Sequence, residues 1–164
     1  MSFYFRLFGG LALVVSALIL SREYSAYCKR RILEYDGFIA LLSHAEGKIA
    51  KYLSSGESLW RDFNNDALLN CGFLVALQDG ETPISAFEKC ESRFRLSQST
   101  KARLREFFSG WGREYREREL LLLSSFKEEL AAEGRAEKER LDKSVRISSA
   151  LLIGGALALM ILII

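Results

Sequence analysis

Two apolar stretches bracket this chain and confine its polar chemistry to the middle. Residues 3–20 are apolar apart from Arg6, two glycines and Ser16, and residues 147–164 carry no charge at all. All 21 acidic residues, and every basic one except Arg6, lie between positions 21 and 146. A hydrocarbon core about 30 Å thick takes about 20 helical residues, so each end is long enough to span a membrane, the first with little to spare. Two spans place the whole middle on one side of a bilayer, held at both ends. The expected organisation is a transmembrane helix over residues 1–21, a helical bundle over 22–146 and a transmembrane helix over 147–164.

The middle segment is strongly charged but nearly balanced, and the whole chain carries a formal charge of +2. A nucleic-acid binder would concentrate a basic excess on one element, so no nucleic-acid partner is expected. The segment also keeps many Leu and Phe residues at helical spacing, which opposes disorder. Cys28, Cys71 and Cys90 form no CxxC pair, and the only histidine is His44. A structural zinc site draws about four soft ligands from short-range pairs, so no metal is expected. The odd cysteine count fits a reducing compartment, with all three thiols buried or half-buried.

The flanks of the spans set the topology. Arg22, Lys29, Arg30 and Arg31 follow the first, and Arg135, Lys138, Arg140, Lys143 and Arg146 precede the second. Positive charge near span ends stays on the cytoplasmic side, so both flanks predict a cytosolic middle in the cell (inner) membrane, with very short tails outside. These flanks also suit anionic headgroups. The competing reading of the N-terminus is a cleaved signal peptide, with Arg6 as its basic region and Tyr24, Ser25 and Ala26 before the cut. The dense positive charge just after the apolar stretch opposes export.

Helical spacing dominates between the spans. Tyr24, Cys28, Ile32, Tyr35, Ile39, Leu42, Ile49 and Leu53 fall at three- and four-residue steps, the stripe of an amphipathic helix continuing from the first span. Gly56 is expected to end it, with a short helix near residues 59–63. Asn64, Asn65 and Asp66 predict the cap of a helix over 67–77, stopped by Asp79 and Gly80. Thr82 and Pro83 then open another, with Pro in the first turn, where its missing N–H costs nothing; this helix carries Ile84, Phe87, Cys90 and Phe94. After a cap cluster at 97–100, one last helix is expected from residue 101 into the membrane. Its stripe is Leu104, Phe108, Trp111, Tyr115, Leu122, Phe126 and Leu130, with Arg118 at an apolar place. The charged run 133–143 reads as a solvated helix. The predicted fold is all-α, an antiparallel helical bundle flanked by N- and C-terminal transmembrane helices.

Two corners share the form L-x-x-G-E-S/T, one at Leu53, Gly56, Glu57 and Ser58, the other at Leu77, Gly80, Glu81 and Thr82. In each, Gly closes one helix and Ser or Thr caps the next. The chain has no G-x-S-x-G elbow, no P-loop and no G-x-G-x-x-G, and His44 has no nucleophile and orienting acid in a recognisable context. The only ionisable residue inside a span is Arg6, near its end. No enzyme, and no catalytic, cofactor-binding or metal-binding residue, is expected.

Taken together these segments resemble the stage III sporulation protein AB family of endospore-forming bacteria. The resemblance rests on the apolar start with Gly9 and Gly10, on Glu46 and Ile49 in the first cytosolic helix, and on the corner at Gly56, Glu57, Ser58 and Leu59. It rests most on the end, where a charged helix leads through Ser144, Val145 and Arg146 into a Gly-containing Leu/Ile terminus. The segment with Gly80, Pro83, Ala86 and Phe87 is similar to a corner of the F-type platform proteins of type II secretion and type IV pilus systems. The family motif L-G-x-x-L-G-x-x-D-x-x-x-Q would fall on residues 107–119. Trp111 and Gly112 fit its second L-G, whereas Phe108, Tyr115 and Glu119 replace its first Gly, its Asp and its Gln.

The resemblance implies a non-enzymatic inner-membrane platform component of a sporulation-specific, secretion-like channel complex, in the mother-cell membrane facing the forespore. It implies as partners a cytosolic secretion-type ATPase, docked by the helical bundle, and other channel components of the same operon. The expected docking residues are Glu46, Gly56, Glu57, Gly80, Glu81, Gly110, Gly112 and Glu119. Small residues in both spans suit close helix packing, including packing in a homo-oligomer. The alternative is a membrane-anchored helical scaffold or adaptor unrelated to sporulation.

Overall fold

The computed structural model describes the backbone of residues 2–51 and 59–163, and the side chains of all of these except 2–7, 162 and 163. It is all-helical, with 86% of residues in helix and no strand among those described. Helix α1 spans Ser2–Lys51, α2 Asp66–Asn70, α3 Phe73–Gln78, α4 Pro83–Cys90, α5 Gln98–Gly110 and α6 Arg116–Ile163, with a 3-10 turn at Glu91–Arg93 after α4. Each apolar end belongs to one of the two long helices, α1 of 50 residues and α6 of 48. Both are long and apolar enough to cross a membrane, and their most apolar windows are only 11% and 6% buried.

The chain divides into two compact units, one of Met1–Lys29 with Ala136–Ile164 and one of Arg30–Arg135. In the first unit the outer arms of α1 and α6 meet through small or polar groups. Gly10 faces Met160 so closely that a Cβ there would sit 2.8 Å from the Met160 Cγ. The Ser21 and Ser149 hydroxyls lie 2.7 Å apart, and the Tyr24 and Ser144 hydroxyls 2.8 Å. As one arm is read upward from Gly10 to Tyr24, its partners on the other descend from Met160 to Ser144. Ala17, Cys28, Leu141 and Ala156 are buried along this contact.

The second unit has an aromatic centre. Phe38 of α1 is fully buried against Phe73 of α3, Phe87 of α4, Phe94 just after the 3-10 turn and Phe108 of α5, with ring centroids between 5.2 and 6.2 Å. Tyr35, Leu41, Leu42, Leu68, Leu74, Leu77, Leu104 and Leu123 are among the residues that pack around it in the core. A buried polar knot ties three helices beside it. The Tyr35 hydroxyl donates to Glu133 Oε1 at 3.0 Å and lies 2.8 Å from the Thr100 hydroxyl, which in turn bonds the same oxygen at 2.5 Å. Gly134 keeps α6 close to the Tyr35 ring, which a Cβ at that position would touch at 3.4 Å.

Three predicted caps are formed. Asn65, Thr82 and Ser97 accept through their side chains from the backbone N–H of Leu68, Ser85 and Thr100, and Pro83 opens α4. Two predicted helices are each split. The helix expected over 67–77 breaks at Gly72, whose φ of +85° ends α2 and turns the chain into α3. The helix expected from residue 101 into the membrane breaks after Gly110, and Gly112 takes a φ of +75° in the turn before α6. The turn also resets the helical phase. Tyr115 is 90% exposed, and the inward face of α6 becomes Glu119, Leu123 and Leu130. Arg118, placed by the stripe at an apolar position, faces solvent and pairs with Glu114 at 3.4 Å. Gly56 and Glu57, and with them the first Gly–Glu corner, lie outside the described residues.

Candidate docking site

The Gly110 to Glu119 turn is built by backbone geometry and one carboxylate. The Trp111 N–H donates to the Phe108 carbonyl at 3.3 Å as α5 ends, and the Arg113 N–H to that of Gly110 at 3.4 Å. Glu119, in the first turns of α6, reaches back so that its Oε1 accepts the Gly112 N–H at 3.1 Å. A carboxylate near a helix start also meets the positive end of the helix dipole. Glu119 is only 9% exposed, and its other oxygen, Oε2, is buried with no hydrogen-bond partner among the described residues.

A groove of about 360 Å³ opens between α5 and α6 at this turn. Its floor is Phe107 stacked on Phe126, with ring centroids 4.2 Å apart and planes within 7°. Gly110, Leu122 and Ser125 form its sides, and Arg103, Glu106, Glu119 and Glu129 its polar boundary. Arg103 is already committed, to Glu129 at 2.5 Å and Glu133 at 2.8 Å. Among the described residues neither Glu106 nor Glu119 is in an ion pair.

The second Gly–Glu corner is an ordinary helix connection with a defined charge pair. Gly80 sits at φ +90°, and Glu81 accepts from Lys89 at 2.5 Å and from the Ser85 hydroxyl at 3.1 Å. Lys89 holds the Glu81 carboxyl below the usual carboxylate range. A small cavity of about 160 Å³ joins this corner to Trp60 and Trp111. Trp60 lies 5.5 Å from Trp111, and Trp111 lies 5.5 Å from Phe107. An aromatic path therefore connects the Gly80 corner with the groove beside Gly110. Glu46 stands apart, in an ion pair with Lys127.

His44 is half-buried, its Nε2 3.1 Å from the Leu59 carbonyl and its ring against Phe63. The three thiols are free and buried, and desolvation pushes the Cys71 thiol up to about 11. Burial raises the Glu34 carboxyl, although it accepts the Arg95 N–H at 2.7 Å. Among the described residues no three His, Cys, Asp or Glu side chains gather as a metal site requires.

The resemblance singled out the 107–119 stretch, whereas the apolar stripe ran through it as one helix and signalled neither the turn nor the groove. Leu122 and Phe126 belong to the expected stripe, but the structure sets them beside Phe107, which the stripe left out, in the groove. Four consecutive leucines at 120–123 were the available signal, since one helix face cannot take them all into a single core. Comparison of the chain with family models, with curated proteins and with solved structures finds no match.

Proposed function

We propose that this chain is a non-enzymatic membrane platform whose helical unit docks a cytosolic partner while two antiparallel spans hold it in the bilayer. The observation that carries the reading is the make-up of α1 and α6. Each has an apolar arm at one end and core residues of the helical unit at the other, Phe38 and Leu42 in α1 and Leu123 and Leu130 in α6. Basic flanks favour the cytosol for the helical unit. Following the resemblance to the stage III sporulation protein AB family, the partner is a secretion-type ATPase, and the membrane is that of the mother cell facing the forespore.

Co-purification tests this. The full chain is extracted in mild detergent from sporulating cells, together with the product of any neighbouring gene that encodes a P-loop secretion ATPase. The platform reading expects the two to elute as one complex. An ATPase that never associates, with expression throughout vegetative growth, would overturn it.

A further inference from the structure

We infer that the groove between α5 and the start of α6 seats an amphipathic helix of a partner protein, apolar face inward, with a lysine or arginine beside Glu119. This deepens the docking reading above and rests on it for the partner being a protein.

Unpartnered apolar surface is the first observation. Of the leucines at 120–123 the core takes Leu123 completely, while Leu121 is 72% and Leu122 49% exposed. Leu122, with the Phe107 and Phe126 rings, forms the apolar lining of the groove. Contiguous apolar surface with a polar rim marks an interaction site more often than an accident of packing.

Charge decides the occupant. Three carboxylates border the groove against one guanidinium, and that guanidinium is shared between Glu129 and Glu133. Glu119 is screened from water and has an oxygen without a partner among the described residues. A carboxylate so placed acts through a lower effective dielectric than a solvated one and favours a cation brought near it. The same acids repel nucleic acid and anionic headgroups, and the aromatic floor is of no use to a hydrated inorganic cation. A helix with apolar anchors at three- and four-residue steps and a basic border satisfies both floor and rim.

Gly110 offers a way to close the groove without breaking the fold. Its φ is not positive, and a Cβ there would meet nothing within 4 Å. Gly110→Leu therefore fills the site from the end of α5. Glu119→Gln removes the charge and keeps an oxygen for the Gly112 N–H.

The test uses the full chain in phosphatidylcholine nanodiscs and two fluorescent 14-residue helical peptides, one of leucine and lysine, the other of leucine and glutamate. Fluorescence anisotropy should show binding of the lysine peptide only. E119Q should weaken it by about tenfold or more, the lower end of what losing one partner of a poorly solvated charge pair costs, and G110L should abolish it. Equal binding of both peptides, or lysine-peptide binding unchanged in both variants, would overturn the assignment. An ATPase that binds wild type, E119Q and G110L alike would also overturn it while leaving the platform reading intact. Lysine-peptide binding that depends on Glu119, with no ATPase association, would support the groove and remove the platform reading instead.

Discussion

The paired arms and the helical unit bury opposite kinds of side chain. In the helical unit the largest residues are innermost: Tyr35, Phe38, Phe73, Phe87 and Phe108 are all within 2% of complete burial. In the arms Ala17 and Ala156 are inside, with Cys28 and Leu141 further along, while Phe8 is 74%, Leu151 71% and Ile161 78% exposed. Water drives large apolar groups inward. Lipid does not, and helices in lipid associate through small residues and hydroxyls instead. The helical unit thus hides its large rings, while the arms, long and apolar enough to cross a membrane, leave most of their large side chains facing outward.

The sharpest way to break this contrast is a pair of truncations. Phe38→Ala empties the meeting point of four other rings and should cost about 3–5 kcal/mol, read as a fall in the melting midpoint of the helical unit. Leu18→Ala, half-exposed in the arm, should leave that midpoint unchanged. Equal losses would mean that the arm is packed like a water-soluble core.

A second test concerns the small-residue contact. Ser21→Cys with Ser149→Cys, in a chain whose native cysteines are changed to alanine, should cross-link readily on mild oxidation in membranes. Adding Gly10→Leu overfills the contact at Met160, an effect of about 1–3 kcal/mol, and should lower the cross-linked fraction. An unchanged yield would show that the arms do not depend on close approach at Gly10.

How far the sequence announced all this depended on how local the cause was. Asn65, Thr82, Pro83 and Ser97 were legible because a cap is settled within four residues. The apolar ends were legible because no folding context is needed to count them. Gly72 and Gly112 were not, because the apolar run from Ala67 to Leu77 continues across the first, and Trp111 and Tyr115 keep a four-residue step across the second. A positive φ at glycine interrupts the helix without disturbing that pattern. Phe38, three residues after Tyr35 and four before Leu42, shares their face, but the stripe took the partly buried Ile39 in its place, so the centre of the core emerged only when α3 and α4 packed on Phe38. Of the candidate docking residues, Gly110 and Glu119 share one groove, Gly80 and Glu81 adjoin it through Trp111, and Glu46 does not.

Two smaller effects refine the picture of the helical unit. Burial raises the Glu34 carboxyl above its ordinary value of 4.5, so the folded chain holds that proton more tightly than the unfolded one. Its contribution to stability is therefore greatest below pH 4.5 and declines as pH rises through the raised folded value. Glu34→Gln keeps an acceptor for the Arg95 N–H and should be at least as stable as wild type at pH 7, with a flatter pH profile in chemical denaturation. A loss above about 1 kcal/mol at pH 7 would mean that Arg95 and Lys101 require the charge. The smallest effect is expected at the half-exposed pair of Glu46 with Lys127. Glu46→Gln should cost no more than about 1 kcal/mol in the same measurement.

The central claim, that lipid surrounds the arms while the helical unit occupies the cytosol, is tested most directly by cysteine labelling. Gly47 is exposed on α1, and a Cβ there meets nothing within 4 Å, so Gly47→Cys places an open thiol on the helical unit beside three buried native ones. In intact protoplasts a membrane-impermeant maleimide should leave Gly47→Cys unlabelled, and permeabilisation should expose it. Labelling from outside intact protoplasts would contradict the account.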